Sequence, residues 1–227
     1  MQEWLDVGGG IRVTGSGAAW LPSDRTVVLA DVHVGYELAA RRRGGYLPRI
    51  ERGADIGARL VGLVTSLGAT RLVIAGDLRH STRDVDAMER AELAALASVV
   101  RASIALDVVR GNHDRDDALI GGESALMIRV GDVDVMHHPP ANAPERWTIC
   151  GHLHPRVTLR DETGASERFA CALVGDRTVI VPAFSEWAGG TEARRLLPSL
   201  YAGPWRVLPT TGTRIADVGL VLTRASG

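Results

Sequence analysis

The first half of the chain alternates short apolar runs with stretches in which apolar residues recur every three or four positions. Thr26 to Ala30 is an apolar run that ends at Asp31, too short for a helix, and it predicts a buried strand. Ile56, Leu60, Leu63, Val64 and Leu67 then fall at helical spacing, with Gly68 as a fitting C-terminal stop. Arg71 to Ala75 predicts the next strand, ending at Gly76-Asp77. Val85, Met88, Leu93, Leu96, Val99 and Val100 mark a second helix, with Asp84 placed to cap it. Leu106 to Val109 predicts a third strand that stops just before Gly111-Asn112.

The second half is richer in strands. Ala125 to Val130 and Val133 to Met136 flank Gly131-Asp132 and read as a hairpin. Thr148 to Cys150 is a short strand running into Gly151. Val157 to Leu159, Phe169 to Val174 and Thr178 to Val181 alternate with turns, Gly175-Asp176 marking a further hairpin. Trp205 to Leu208 and Val218 to Leu222 close a sheet. Helices between the early strands imply parallel pairing through right-handed crossovers, and the later hairpins imply antiparallel additions. The expected fold is α/β, a sandwich of mixed β-sheets flanked by helices. Residues 1–227 are expected to form one domain, because the stretch beyond Pro204 is too short to fold alone.

Composition adds limits more than direction. Apolar residues make up 45% of the chain and charged residues 23%, which suits a soluble protein with a proper core. No apolar run approaches a membrane span, and Met1 to Asp6 lacks a basic region followed by an apolar stretch, so a cytoplasmic location and no membrane partner are expected. The net charge of −1 excludes a general attraction to nucleic acid, and all 26 basic residues are arginine. Arg41-Arg42-Arg43 is the one basic cluster near a motif, where a solvated helix face is the plainer reading than a phosphate contact. Cys150 and Cys171 are too few for a disulfide framework and read as small buried thiols.

Candidate chemistry gathers in five segments: Asp31-Val32-His33, Gly76-Asp77, Gly111-Asn112-His113-Asp114, His137-His138 and Gly151-His152-Leu153-His154. Each follows a predicted strand, where open α/β sheets place their ligands. If the backbone stays extended there, Asp31 and His33 face one way, and His152 and His154 converge likewise. Six of the seven histidines lie in these segments, and the seventh, His80, stands three residues after Asp77. Imidazole and carboxylate donors without thiolate suit divalent manganese, iron or zinc. Asp31, His33, Asp77, Asn112, His137, His152 and His154 are too many donors for one tetrahedral ion. They suit instead two cations about 3.5–4 Å apart, which together activate a water for in-line attack at phosphorus.

In this order, Asp-x-His, Gly-Asp, Gly-Asn-His-Asp, His and Gly-His-x-His resemble the calcineurin-like metallophosphoesterase superfamily over residues 27–154. The stretches Ala30 to Glu37, Val109 to Arg115, Gly151 to Pro155 and Val181 to Phe184 further resemble small prokaryotic phosphoesterases associated with DNA ligase or helicase genes. The resemblance implies a four-layer α/β/β/α fold. It implies one metal on Asp31, His33, Asp77 and His154, a second on Asp77, Asn112, His137 and His152, and Asp77 as the bridge. Manganese is the expected metal, with iron or zinc as alternatives. His113 would face the phosphate and protonate the leaving group, and Asp114 would orient nearby backbone or His113. Where the superfamily commonly has His-Gly, this chain has His137-His138, so His138 is the alternative ligand. His80 resembles the histidine of Gly-Asp-Leu-x-His in double-strand-break repair nucleases, and is expected to hydrogen-bond His113 or the substrate phosphate.

Only 22 residues separate Asp114 from His137 and 13 separate His138 from His152, which leaves no room for a capping domain over the site. An open site suits phosphodiesters, including DNA or RNA ends. A phosphomonoesterase or nucleotide hydrolase of the same chemistry is the alternative, and a scaffold without activity is a third. Trp187, within Phe184 to Gly190, could line the site, with packing in the core as the plainer expectation.

Overall fold

The chain opens with four strands in succession, β1 (Trp4–Gly8), β2 (Ile11–Thr14), β3 (Ala19–Leu21) and β4 (Thr26–Leu29), each antiparallel to the one before. The structure is a computed structural model that describes residues 2–47, 51–82, 86–114 and 125–224. Helices α1 (Tyr36–Arg42) and α2 (Gly53–Ser66) lead to β5 (Arg71–Ile74), and α3 (Ala87–Arg101) leads to β6 (Ala105–Val108). Both crossovers return parallel, β4 to β5 and β5 to β6, as strands linked through helices require. The result is a six-stranded sheet in the order β1-β2-β3-β4-β5-β6.

A second sheet of nine strands follows. It contains β7 (Met127–Val130), β8 (Val133–Met136), β9 (Trp147–Cys150), β10 (Pro155–Arg160), β11 (Ser166–Gly175), β12 (Thr178–Ile180), β13 (Thr191–Glu192), β14 (Gly203–Thr210) and β15 (Val221–Arg224). The expected hairpins are present: β7 pairs β8 around Gly131-Asp132, and β11 pairs β12 around Asp176. The pairs β8–β9 and β9–β12 are parallel, so the sheet is mixed.

Alternation along the buried strands explains the layering. On β4 and β5, Val27, Leu29, Leu72 and Ile74 point to one side and pack on Ile56, Leu60 and Val64 of α2 and on Leu93, Leu96 and Val100 of α3. The intervening Val28, Ala30, Val73 and Ala75 point the other way and meet Val133, Val135, Ile149 and Val179 of the second sheet. Side chains that alternate across a strand thus fill two cores at once, each fully buried Leu or Ile contributing roughly 1.5–3 kcal/mol. The outer face of the nine-stranded sheet closes over Cys150, Cys171, Leu173, Ile180 and Trp205, with Ala193 and Leu196 of the one-turn helix α4 (Ala193–Leu196). That last helical layer is therefore thin.

Several elements differ from their expected bounds. The strands β1 to β3 and the short helix α1 carry too few periodic positions to be predicted. Asp84 and Val85 lie outside the described residues; Asp86 caps α3, its carboxylate accepting the Glu89 N–H at 2.8 Å. Ala125 forms a lone bridge to Val109 before β7 begins. Among the described residues no helix is long and apolar enough to cross a membrane.

Candidate metal centre

The loops that leave β4 and β5 are bonded to each other before they reach any other group. Asp31 N–H donates to Gly76 O at 3.0 Å, His33 N–H to Asp77 O at 3.0 Å, and Val34 N–H to Leu78 O at 2.8 Å. The backbone here is not extended. Asp31, His33 and Asp77 have φ of 59, 52 and 53°, and His152 and His154 have 71 and 45°. This left-handed region is uncommon for residues with a Cβ, though Asp and His enter it more readily than most. Close approach also explains two glycines of the motifs. A Cβ at Gly76 would overlap the His137 ring, and one at Gly151 would strike Ala30 and the Asp31 carboxylate.

The seven predicted donors come together in two groups that meet at Asp31, Asp77 and His137. In the first, His154 Nε2 lies 3.3 Å from Asp31 Oδ1 and 3.5 Å from His33 Nε2. In the second, His137 Nε2 lies 2.9 Å from Asn112 Oδ1, 3.2 Å from His152 Nδ1 and 3.4 Å from Asp77 Oδ1. His152 Nδ1 is also 3.0 Å from Asn112 Oδ1. Ligand atoms of Asp31, Asp77 and His137 all fall within 4.8 Å of one another, which connects the groups. His152 and His154 therefore part rather than converge, because their left-handed backbone breaks the two-residue alternation that an extended strand would impose.

Two imidazoles are held in a defined orientation from behind. His137 Nδ1 donates to Ala75 O at 2.8 Å and His154 Nδ1 to Ala188 O at 3.2 Å, which leaves each Nε2 lone pair aimed at the cluster. His137 is 1% exposed; His138 is exposed, and a ring nitrogen of each lies within 4.8 Å of the other and of a His152 ring nitrogen. Of the two, His137 is the one within reach of Asn112 and Asp77.

The electrostatics suit a cation. Burial works against the charged form of Asp77, but bonding from the His137 ring and the His113 N–H outweighs it and pulls the carboxyl down to about 2. Burial pushes His33 and His152 down to about 4, so both stay neutral and keep lone pairs. Burial also opposes protonation of His137 and His154, yet Asp77 and Asp31 outweigh it and raise both. Asp31 Oδ1 and His33 Nδ1 are buried with no hydrogen-bond partner. Buried polar atoms are rarely left so, and a divalent cation would satisfy a converging set of oxygens and imidazole nitrogens. The donor set therefore fits metal.

The neighbouring residues divide into clamps and ring contacts. Asp114 is buried and accepts N–H bonds from Leu78 at 3.3 Å, Arg79 at 3.2 Å and Gly111 at 3.1 Å, tying the Asp77 loop to the Asn112 loop. His113 N–H donates to Asp77 Oδ1 at 2.9 Å, and its ring Nδ1 bonds the His80 backbone carbonyl. The expected His80–His113 hydrogen bond thus runs through the carbonyl of His80. The His80 ring instead packs on Tyr36 at 4.5 Å, His33 at 5.2 Å and His113 at 5.4 Å, with a buried Nδ1 that has no partner. Sequence reasoning gave no role to Tyr36 or Arg79. Arg79 is buried and donates from Nε to His113 O at 2.7 Å, and its only signal was its place between Leu78 and His80. Trp187 does not pack in the core. It is 42% exposed and lines a cleft of about 400 Å³ beside His33 and Tyr36.

No protein-family model matches this chain, and no curated protein matches it. Among solved structures, the crystal structure of the Pseudomonas putida nuclease MPE is similar, with a TM-score of 0.68 over 93% of this chain and 98% of that one. The two share 20% sequence identity, a level at which the likeness speaks for a common fold.

Proposed function

We propose that this chain is a divalent-metal-dependent phosphoesterase of the calcineurin-like type, acting on phosphodiesters of the nucleic-acid kind. The observation that carries the reading is the pair of buried carboxylates Asp31 and Asp77, within 4.8 Å of each other and of a His137 ring nitrogen, where the groups Asp31–His33–His154 and Asn112–His137–His152 meet. One cation would be held by Asp31, His33, Asp77 and His154, and a second by Asp77, Asn112, His137 and His152, manganese being the first choice. The chemistry such ions supply when bound is acidification of a water and neutralisation of phosphoryl charge.

The remaining work falls to side chains already in place. His113 Nδ1 is anchored on the His80 carbonyl, and Nε2 lies 3.8 Å from Asp77 Oδ2, facing the same cluster. Doubly protonated, His113 carries a proton at Nε2 that it can give to a departing alkoxide. Asp114 and Arg79 hold the His113 loop still, which keeps that proton in reach. The nuclease name of the similar structure favours a diester of a nucleic acid over a small monoester. A complete donor set argues against an inert scaffold.

Purified protein with manganese should hydrolyse bis-p-nitrophenyl phosphate faster than mono-p-nitrophenyl phosphate, lose the activity in EDTA, and carry metal by elemental analysis. A chain that binds no metal and cleaves neither ester would end this reading.

A further inference from the structure

The three arginines at the end of α1 have different surroundings. Arg41 donates from Nε and Nη2 to Leu47 O at 3.1 and 3.0 Å. Arg42 is tied to Ser81 and Asp86 and, at 2.9 Å, to the buried carboxylate of Glu89. Arg43 donates its backbone N–H to Ala40 O at 3.1 Å, but its exposed guanidinium forms no hydrogen bond or ion pair with any described residue. Together with His80, Ser81, Thr82 and His113 it lines a cleft of about 610 Å³. A cluster that looked uniform in sequence therefore contains one guanidinium without a partner among the described residues, beside the histidine proposed to serve the leaving group.

The cleft on the other edge of His33 has the opposite character. Among the described residues, Glu37, Glu51, Asp55 and Glu186 line it with Trp187, against a single cation, Arg59. An additional phosphate would be repelled there and attracted beside Arg43. Guanidinium also matches the geometry of a phosphate, which accepts its paired N–H groups.

We propose that Arg43 is a specificity-determining residue that holds a second, non-scissile phosphate attached to the leaving alcohol. The preferred substrate is then a diester within a nucleic-acid strand, since an isolated ester has no such group. This inference rests on the phosphoesterase reading above, because it is His113 as proton donor that makes the Arg43 cleft the leaving side.

The test compares the manganese-loaded full chain with Arg43→Gln on three esters: a thymidine dinucleotide with no terminal phosphate, with a 5′-phosphate, and with a 3′-phosphate. The unmodified chain should favour one phosphorylated dinucleotide over the plain one by about 10–100-fold in kcat/KM, as a charge-assisted contact warrants. Arg43→Gln should erase that preference, and Arg43→Lys should restore part of it. A second readout needs no turnover. Binding of a labelled thymidine oligonucleotide to the full chain in EDTA should weaken with salt, and Arg43→Gln should lower the slope of log K against log salt by about 0.7, the loss of one phosphate contact on a single strand. A preference and a slope that Arg43→Gln leaves unchanged would overturn the role of Arg43 while sparing the phosphoesterase reading. Hydrolysis of none of the three esters by the unmodified chain would overturn both. Faster hydrolysis of thymidine triphosphate than of any dinucleotide would overturn the strand assignment.

Discussion

Compared side by side, the two sheets bring different chemistry to the shared edge. The six-stranded sheet supplies the buried carboxylates Asp31 and Asp77, followed by Asn112 and His113 beyond β6. The nine-stranded sheet supplies His137, His152 and His154, and so adds neutral donors in place of charge. Their contacts cross the gap: His152 N–H donates to Asp31 Oδ2 at 3.0 Å, and Ser185 N–H to Asp31 O at 3.1 Å. Neither half is a site alone. The negative charge that attracts a cation and most of the imidazoles that complete its shell meet only when the sheets dock, so the apolar layer of Val28, Val73, Ile149 and Val179 between them is also what positions the chemistry.

The strongest way to break this contrast is to remove charge from the first sheet. Asp77→Asn keeps the shape but strips the carboxylate proposed to bridge the two cations, and hydrolysis should fall to background. Metal content by elemental analysis should fall with it; unchanged content would contradict the bridging role. His113→Ala tests a group that is outside the proposed ligand shells. Metals should remain while kcat drops about 10²–10⁴-fold, most for alkyl leaving groups; equal losses on nitrophenyl and alkyl esters would rule out proton donation. The smallest effect is expected at the second sheet's rim. His138→Ala should leave metal content intact and change stability by no more than about 0.5 kcal/mol, as surface substitutions do. His137→Ala, one residue away, should lose metal, and the reverse result would exchange their roles.

Much of this arrangement was legible from local pattern. Strands β4 and β5 announced themselves as unbroken apolar runs because both faces are buried, and α2 by the recurrence of Ile56, Leu60 and Val64. The first three strands were not legible. Each has at most five residues, and Gly8-Gly9-Gly10 interrupts the alternation, so Val7, Ile11 and Val13 reveal their common inward face only once paired. At the centre, the identities of the donors could be read from their motifs, since chemistry limits the residue types. What those motifs could not convey was backbone shape. The two-residue alternation assumed for His152 and His154 fails where φ turns positive. The resemblance implied that Asp114 orients nearby backbone, but sequence could not reveal which N–H groups it holds, nor the Arg79 bond to His113 O, which depend on loops that meet only in three dimensions.

That backbone shape bears on how any substitution in the centre should be interpreted. Of the seven non-glycine residues with positive φ among those described, five are proposed ligands: Asp31, His33, Asp77, His152 and His154. A replacement at these places can alter donor chemistry and main-chain comfort together. Asparagine tolerates the left-handed region about as well as aspartate, so Asp31→Asn and Asp77→Asn report on charge with little interference. Valine or isoleucine would add a conformational penalty of order 1–3 kcal/mol, and a protein so changed could fail for reasons unrelated to metal. The donor-bearing edge of this molecule is thus also where its main chain is least forgiving, and only a narrow set of side chains can probe the one property without disturbing the other.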